Sequence, residues 1–272
     1  AKVIRILMDE LTRIASHELW WGAMAMDLGA FTPFFHAFRE RESINDIMEE
    51  TCGARLTMNY IVPGGLMQDI HPNFQKRVKD FLALYRSKIH EYDELVTGNI
   101  IFQNRMKGVG YISAEDAISF GMTGPAARGS GVSCDIRKLY PYDGYENLQF
   151  DEILETAGDS FARYMVRIRE MQQSIRIIEQ LIDNIPEGDF VAKTKAVLKL
   201  PKGEFYTRVE TARGELGVYI VSEGGTTPYR IKFRSPGFSN LSALDHMARG
   251  EKLGDLVAMM GTLDLVIPDI DR

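Results

Sequence analysis

Three long segments of this chain carry apolar residues at the spacing of an α-helix, and they constrain the fold more than any other feature. They are residues 4–26, 74–92 and 161–182, and in each the apolar side chains recur three and four positions apart. Such spacing places them on one face, which a soluble helix must cover with another element. The three segments therefore predict a bundle of long helices.

Glycine and proline mark the expected ends of these helices. The first helix is expected to stop by Gly29, and Pro33 can begin a second helix that runs to residue 51 and closes near Gly53. The helix over residues 161–182 is expected to end before Pro186, because proline lacks the N–H that a helix interior needs.

After residue 200 the periodicity changes from helical to alternating, which predicts short β-strands. Three strands are expected at residues 205–210, 218–222 and 229–233. Two further helices are expected at residues 241–249 and 252–260. The tail 261–272 shows no helical period, so no helix is predicted there.

These elements place the chain in the α+β class, mostly helical, with a small antiparallel sheet in the C-terminal third. Its 272 residues, of which 45% are hydrophobic, are enough for one large core. We predict a single domain over residues 1–272, in which residues 1–200 are helical, residues 201–238 are β-rich, and residues 239–272 form C-terminal helices and a tail. The net charge of −6 argues against a nucleic-acid-binding protein. No apolar run is long enough to cross a bilayer, so membrane contact is expected only through partners.

Two local patterns predict structural roles. Cys52 and Cys134 stand far apart and outside any CxxC or Cys/His cluster, so we predict no metal site and two buried thiols in a reducing compartment. Arg163, Arg167 and Arg169 are interpreted as a solvated helix face or as a contact with another protein chain.

Two carboxylates in apolar surroundings are candidates for chemistry. Asp27 follows an almost wholly apolar run at the C-terminal end of the first helix, where burial and the helix dipole disfavour the ionised form unless a partner faces it. That placement suits proton handling, and a cap of the helix end is the alternative. Asp264 stands between apolar residues and needs a partner.

Residues 121–145 form the most unusual segment of the chain. It holds five glycines and two prolines, with charged residues spread between them. Among these charged residues are Arg128, Asp135, Arg137 and Asp143. Several backbone positions in such a segment tolerate only glycine easily, which predicts an irregular, extended path. Either the wall of a site or a plain structured connector is compatible with this pattern.

The same segment closely resembles a signature of the D subunit of respiratory complex I, the quinone-site subunit related to the large subunit of nickel–iron hydrogenases. Four other segments resemble signatures of this family in the same order: residues 11–42, 53–65, 212–238 and 261–272. The resemblance covers essentially the whole chain and implies a hydrogenase-large-subunit-like helical bundle. It also implies that the chain corresponds to the C-terminal two-thirds of the family's polypeptide, in a truncated or split form.

The resemblance implies a role in passing electrons from a partner's iron–sulfur cluster to a membrane quinone, coupled to ion translocation. Asp27 falls on the family's aspartate that pairs with a histidine near the quinone headgroup, and that histidine would precede this chain. The positions that line the family's quinone cavity are here Phe38, Leu56, Asp264 and Val266. Taken alone, the three apolar ones are ordinary core residues.

The resemblance also implies that the chain binds no cofactor itself and works only within the complex. Quinone is then the substrate, while NAD and the iron–sulfur clusters belong to partner subunits. The expected partners are the iron–sulfur subunit with the terminal cluster, the other peripheral-arm subunits and the membrane arm, at the cytoplasmic side of the cell membrane.

Two positions depart from the family pattern. The family usually has a histidine at Thr57, close to the terminal cluster, and an arginine at Val62. Losing a titrating group and a positive charge makes electron acceptance by the cluster less favourable. We therefore expect a cluster of lower potential, with menaquinone or methanophenazine as the acceptor. Reduced deazaflavin, as in the archaeal variant, or ferredoxin is then an alternative to NADH as the donor.

Proteins of two other classes could share parts of this pattern. A hydrogenase large subunit holds nickel and iron through two CxxC pairs, one close to the C-terminus, and the absence of cysteine from residues 261–272 excludes that centre. A metal-free scaffold that kept the fold is the other interpretation. The retention of Asp27 and of the C-terminal segment argues against it.

Overall fold

The computed structural model of the chain describes residues 1–195 and 197–271. The helices up to residue 200 are α1 Lys2–Asp27, α2 Thr32–Cys52, α3 Phe74–Tyr92, α4 Ile100–Met106, α5 Ala114–Ser119, α6 Gly124–Arg128, α7 Ile136–Leu139 and α8 Ser160–Leu181. A small hairpin of β1 Ile61–Val62 and β2 Gly65–Leu66 follows α2. A π-helical turn, Asp93–Thr97, continues α3, and a 3₁₀ turn, Tyr145–Asn147, follows α7.

The C-terminal third contains an antiparallel sheet and a second group of helices. Its strands are β3 Gly203–Thr211, β4 Gly214–Ser222 and β5 Arg230–Arg234, paired in that order. Its helices are α9 Pro236–Ser242, α10 Leu244–Ala248, α11 Leu253–Leu263 and α12 Ile267–Ile270. The described chain is therefore mostly helical with a small antiparallel sheet, which confirms the predicted fold class.

Helix α1 packs against α2, α8 and α11 and carries much of the core. Its fully buried Trp21 stacks on Tyr92 with ring centroids 4.1 Å apart, and its indole N–H donates to the Tyr164 hydroxyl at 3.2 Å. Burying a side chain of this size stabilises the fold by about 2 to 3 kcal/mol. A Cβ on Gly22 would lie 3.0 Å from the Cα of Phe34, so glycine lets α1 and α2 approach closely. Trp21 thus joins α1 to α3 and α8.

The ends of the long helices confirm the glycine and proline signals. Helix α1 ends two residues before Gly29, and α2 begins at Thr32 with Pro33 in its first turn. Gly53 closes α2 with a φ of 77°, a left-handed conformation in which side chains other than glycine are strained. Helix α8 ends ahead of Pro186.

The C-terminal tail differs from the prediction. The sequence predicts no helix in residues 261–272, yet α11 continues through Gly261 to Leu263 and α12 lies within the tail. Met259 and Leu263 are fully buried in a cluster with Ala126 and Ala127 of α6, so tertiary packing rather than a long periodic pattern supports this helix. The pairing expected for Arg272 lies outside the described residues.

The expectation of a solvated face on α8 is wrong for Arg163 and Arg167, both of which are fully buried. The guanidinium of Arg163 donates to the carbonyls of Gly110 at 2.9 Å and Gly158 at 3.1 Å, so backbone carbonyls replace water around it. Arg169 alone is partly exposed, and it pairs with Glu155.

Helices α1 and α2 bury an acidic pair, Glu18 and Glu40. The Tyr92 hydroxyl donates to Oε1 of Glu18 at 3.3 Å, whereas Arg39 forms an ion pair with Glu40. Burial raises the pKa of Glu18 well above its ordinary value, and the charge of Glu40 raises it further. Burial in the folded chain therefore favours the protonated form of Glu18.

We expect Glu18→Gln to raise the free energy of unfolding at pH 8 by about 1 to 3 kcal/mol. Because the folded-state pKa lies above the ordinary value of 4.5, the folded chain binds more protons and wild-type stability falls as the pH rises past 4.5. Glutamine keeps the acceptor for Tyr92 but cannot ionise, so the gain should vanish near pH 4. Chemical denaturation at both pH values measures it. The exposed Glu94→Gln should change stability by less than about 0.5 kcal/mol, and an equal gain there would contradict the prediction.

Candidate functional site

Three of the predicted site residues line one cavity of about 560 Å³ between α1 and the end of α11. They are Asp27, Asp264 and Val266. Most of the other lining side chains are apolar: Leu19, Trp20, Ala23, Met24, Val257, Met260, Leu265 and Ile267, with Arg213 and Gly261 completing the wall. Apolar walls with a few polar groups are typical of sites for small organic molecules.

Asp27 is the last residue of α1 and is exposed, so the expectation of a buried carboxylate is wrong for this chain. The apolar run before it is buried as expected, but α1 ends at Asp27 and the side chain emerges at the cavity. The structure therefore places Asp27 where a molecule in the cavity, or a partner chain, can reach it. Its assignment to proton handling stays a prediction.

Asp264 ends α11 in the left-handed conformation, with a φ of 54°, and only 8% of it is exposed. Arg213, in the turn between β3 and β4, is the partner that the sequence predicts it needs. Nη2 of Arg213 donates to Oδ1 of Asp264 at 3.1 Å, and Nε donates to its backbone carbonyl at 3.1 Å. Nη1 of Arg213 also donates to the Ser16 hydroxyl at 3.2 Å, which ties this contact to α1.

The other two predicted residues lie away from this cavity. Phe38 is half-buried on α2 and stacks on Phe34 with ring centroids 4.3 Å apart. Leu56 lies in the loop after α2 and is 60% exposed. Their assignment to a quinone cavity stays a prediction.

The segment between α2 and β2 also carries the two positions that depart from the family pattern. Thr57 is exposed with a φ of 52°, and Val62 lies in β1. Nη2 of Arg5 donates to the carbonyl of Val62 at 3.0 Å, so a guanidinium contacts this hairpin from α1. A positive charge is thus present beside the position at which the family usually has arginine.

A buried charge cluster lies at the junction of α1, α6, α7, α8 and β3. It contains three arginines and four carboxylates with one histidine: Glu10, Arg13, His17, Arg128, Asp135, Arg137, Glu170 and Glu210. Arg128 donates to Glu170 at 2.7 Å and to Glu210 at 2.8 Å. Arg137 donates to Glu10, Asp135 and Glu170 at distances between 2.7 and 3.2 Å.

The shifts in pKa across this cluster have opposite signs. Burial alone would raise the pKa of Glu170, but Arg128 and the hydrogen bond from His17 outweigh it and hold the pKa well below its usual range. Burial raises the pKa of Glu210 to about 7 although Arg128 opposes it. Burial lowers the pKa of His17, so the imidazole is neutral and its Nε2–H donates to Glu170 at 2.8 Å.

The glycine-rich segment 121–145 supplies three members of the buried charge cluster, through α6 and α7. It is therefore an interior wall containing two short helices and differs from the extended, irregular path that the sequence predicts. Close packing explains why glycine occupies position 129 of this segment. A Cβ on Gly129 would lie 2.7 Å from the side chain of Arg163. Asp143 remains outside the cluster and pairs with Arg5 at 3.6 Å.

The described residues contain neither a cluster of metal ligands nor a membrane-spanning helix. Across residues 1–195 and 197–271, no group of three or more histidine, cysteine or acidic side chains is arranged to hold a metal ion. Cys52 and Cys134 are free and half-buried. No helix in the same residues has the length and apolarity to cross a membrane.

Comparisons with known proteins agree over the length of the chain. A family model described as the 49 kDa subunit of the respiratory-chain NADH dehydrogenase matches residues 27–199 and 190–272. The C/D subunit of the NADH-quinone oxidoreductase of Bacteroides thetaiotaomicron is 56% identical over 100% of this chain and 51% of the relative. The second D-type subunit of the Solibacter usitatus enzyme is 48% identical and the D-type subunit of the Bacillus mycoides enzyme 44%, each over 100% of this chain and 74% of the relative. The chain thus spans about half the length of the C/D relatives it matches.

Proposed function

The chain belongs to the family of the 49 kDa subunit of the respiratory-chain NADH dehydrogenase, and from this premise we propose that it builds part of the quinone site of an NADH-quinone oxidoreductase. Electrons come from NADH through iron–sulfur clusters in partner subunits, and the acceptor is a membrane quinone. The iron–sulfur subunit with the terminal cluster, the other peripheral-arm subunits and the membrane arm are its partners, at the cytoplasmic side of the membrane. Ion translocation is a property of the whole complex.

The observation that carries the proposal is the cavity shared by Asp27 and Asp264. Reducing a quinone to a quinol takes two electrons and two protons, so the site needs apolar walls for the ring and groups that handle protons nearby. Side chains of α1 and α11 supply the walls, among them Trp20, Met24 and Met260. Asp264 is fixed by Arg213, whereas Asp27 is exposed at the cavity.

Large exposed apolar side chains support assembly with other subunits. Phe31 and Phe35 follow the end of α1 that carries Asp27, and Leu253 begins α11 with 84% of its surface exposed. Ile267 is exposed at the cavity itself. Exposed apolar residues on both sides of a site are typical of surfaces that other proteins or lipids cover.

Val266→Trp tests the function by filling the cavity. We expect the apparent KM for quinone to rise about tenfold in the assembled complex, because the indole takes space that the quinone ring needs. NADH oxidation with an acceptor that takes electrons upstream should remain within about twofold of wild type. Quinone kinetics in isolated membranes measure both.

Val197→Trp is the matched control, because Val197 is 59% exposed and does not belong to the cavity wall. It should leave quinone kinetics unchanged. Equal kinetics for the two tryptophan variants would mean that this cavity does not hold the quinone.

A further inference from the structure

The carboxylate of Asp264 uses only one oxygen in its contact with Arg213. Oδ1 accepts from that guanidinium, whereas Oδ2 is buried and has no hydrogen-bond partner among the described residues. A buried carboxylate oxygen that lacks a donor destabilises the fold, because it has lost its hydrogen bonds to water. Oδ2 therefore needs a donor from a neighbouring group.

Arg167 of α8 has the complementary property. It is fully buried, and its Nη1 donates to the carbonyl of Arg163 at 3.0 Å. Its Nε and Nη2 are buried without an acceptor in residues 1–195 and 197–271. Arg167 thus holds unused donors in the interior, as Asp264 holds an unused acceptor.

Trp20 connects the two side chains. The guanidinium carbon of Arg167 lies 4.7 Å from the centroid of the Trp20 ring. The indole N–H of Trp20 donates to the carbonyl of Gly261 at 2.6 Å, and the same carbonyl accepts from the backbone N–H of Asp264 at 3.3 Å. Arg167 therefore packs on the residue that fixes the helix end bearing Asp264.

Electrostatic interactions also favour the pairing of Arg167 with Asp264. Burial lowers the pKa of Arg167 to about 10, and Asp264 and Glu170 are the carboxylates that oppose this shift. Both oxygens of Glu170 are already engaged, one by Arg128 and Arg137 and the other by His17. Of these two carboxylates, Asp264 is the one with a free oxygen.

We propose that Arg167 is a positioning residue for Asp264, with its free N–H groups holding Oδ2 through one bound water while Arg213 holds Oδ1. The inference rests on the proposed function, in which Asp264 faces the quinone. Held by two arginines from different elements, the carboxylate keeps one orientation toward the cavity during turnover. The turn between β3 and β4 supplies one arginine and α8 supplies the other.

A mutant cycle in the assembled complex tests the proposal. We expect Arg167→Gln to lower kcat for quinone about tenfold and to leave KM within about twofold, because Asp264 loses its fixed orientation while the cavity keeps its shape. Arg167→Lys keeps the charge but not two N–H groups at their positions, so a loss of about two- to fourfold is expected. In an Asp264→Asn background, neither change should alter kcat by more than about twofold.

Arg163→Lys is the matched control one turn earlier on α8. Arg163 donates to the Gly110 and Gly158 carbonyls and to two hydroxyl groups, so its replacement should reduce the amount of assembled complex without changing kcat per complex. Losses for Arg167 variants that persist in the Asp264→Asn background would overturn the proposal. A loss of kcat in Arg163→Lys equal to that in Arg167→Lys would do the same.

Two further outcomes are decisive. If Arg167→Gln does not assemble, the cycle of Arg167→Lys with Asp264→Asn decides by the same criterion. If Asp264→Asn leaves kcat unchanged, the proposed function of this cavity fails, and the cycle is evaluated on the melting temperature of the complex. Non-additive shifts there support the contact between Arg167 and Asp264, and additive shifts overturn it.

Discussion

Arg137→Met is expected to lower the free energy of unfolding by about 3 to 5 kcal/mol, because it removes the cation that three buried carboxylates share. Arg137 is 1% exposed and donates to Glu10, Asp135 and Glu170. Methionine fills similar space but leaves those buried carboxylates with too few hydrogen-bond donors. Chemical denaturation of the purified chain at neutral pH measures the loss.

Arg176→Met is the matched control, because Arg176 lies on the exposed side of α8 and pairs with Asp151 at 2.9 Å. An exposed pair contributes little, so this change should stay within about 0.5 kcal/mol of wild type. If the two substitutions cost the same, the buried charge cluster does not hold the fold together. A large difference between them would show that the buried carboxylates depend on Arg137 to compensate their charge.

The long helices were predictable from the sequence because each one buries a single face against the bundle. Gly53 and Pro33 mark ends of α2 through local backbone geometry, which needs no knowledge of the rest of the fold. The helical tail was not predictable in this way. Helix α11 persists to Leu263 because that side chain is buried in a cluster that includes Ala126 and Ala127, more than 130 positions earlier in the sequence.

The cavity was predicted only partly and the buried charge cluster was not predicted. The resemblance named Asp27, Asp264 and Val266, which the fold brings to one cavity, but also Phe38 and Leu56, which lie elsewhere in this chain. The cluster brings together Glu10 and Glu210, which are about 200 positions apart in the sequence, and no local pattern predicts that they lie close together. The sequence did contain one indication of this cluster, namely the several charged residues in the segment 121–145. Burial of these residues as ion pairs explains their presence better than a position in a surface loop does.

The exposure of Asp27 was likewise not predictable from a local sequence pattern. The apolar run before it correctly predicts a buried helix face, but burial of that face does not decide where the last side chain of α1 points. The opposite error occurs at Arg167. Its charge predicts an exposed side chain, but tertiary packing buries it. A periodic pattern thus identifies which face of a helix is buried. Whether a charged residue is buried or exposed depends on partners that are far away in the sequence.

Asp27→Asn is expected to slow donor-to-quinone electron transfer in the assembled complex by about tenfold or more. Asparagine has the shape of aspartate and can still hydrogen-bond at the helix end, so assembly should be preserved. It cannot take up or release a proton, and quinone reduction consumes two. Because Asp27 is exposed at the cavity that also holds Asp264, its loss should affect turnover more than stability.

Turnover per assembled complex, with the amount of each protein component determined in parallel, measures this effect. Asp183→Asn is the matched control, since Asp183 is exposed just after the end of α8 and pairs with Lys79, and turnover there should stay within about twofold of wild type. Partial recovery in Asp27→Glu would show that the ionisable group matters rather than the exact shape. Normal assembly with unchanged turnover in Asp27→Asn would make Asp27 a residue of the helix end, and the acid–base chemistry of the cavity would then fall to Asp264.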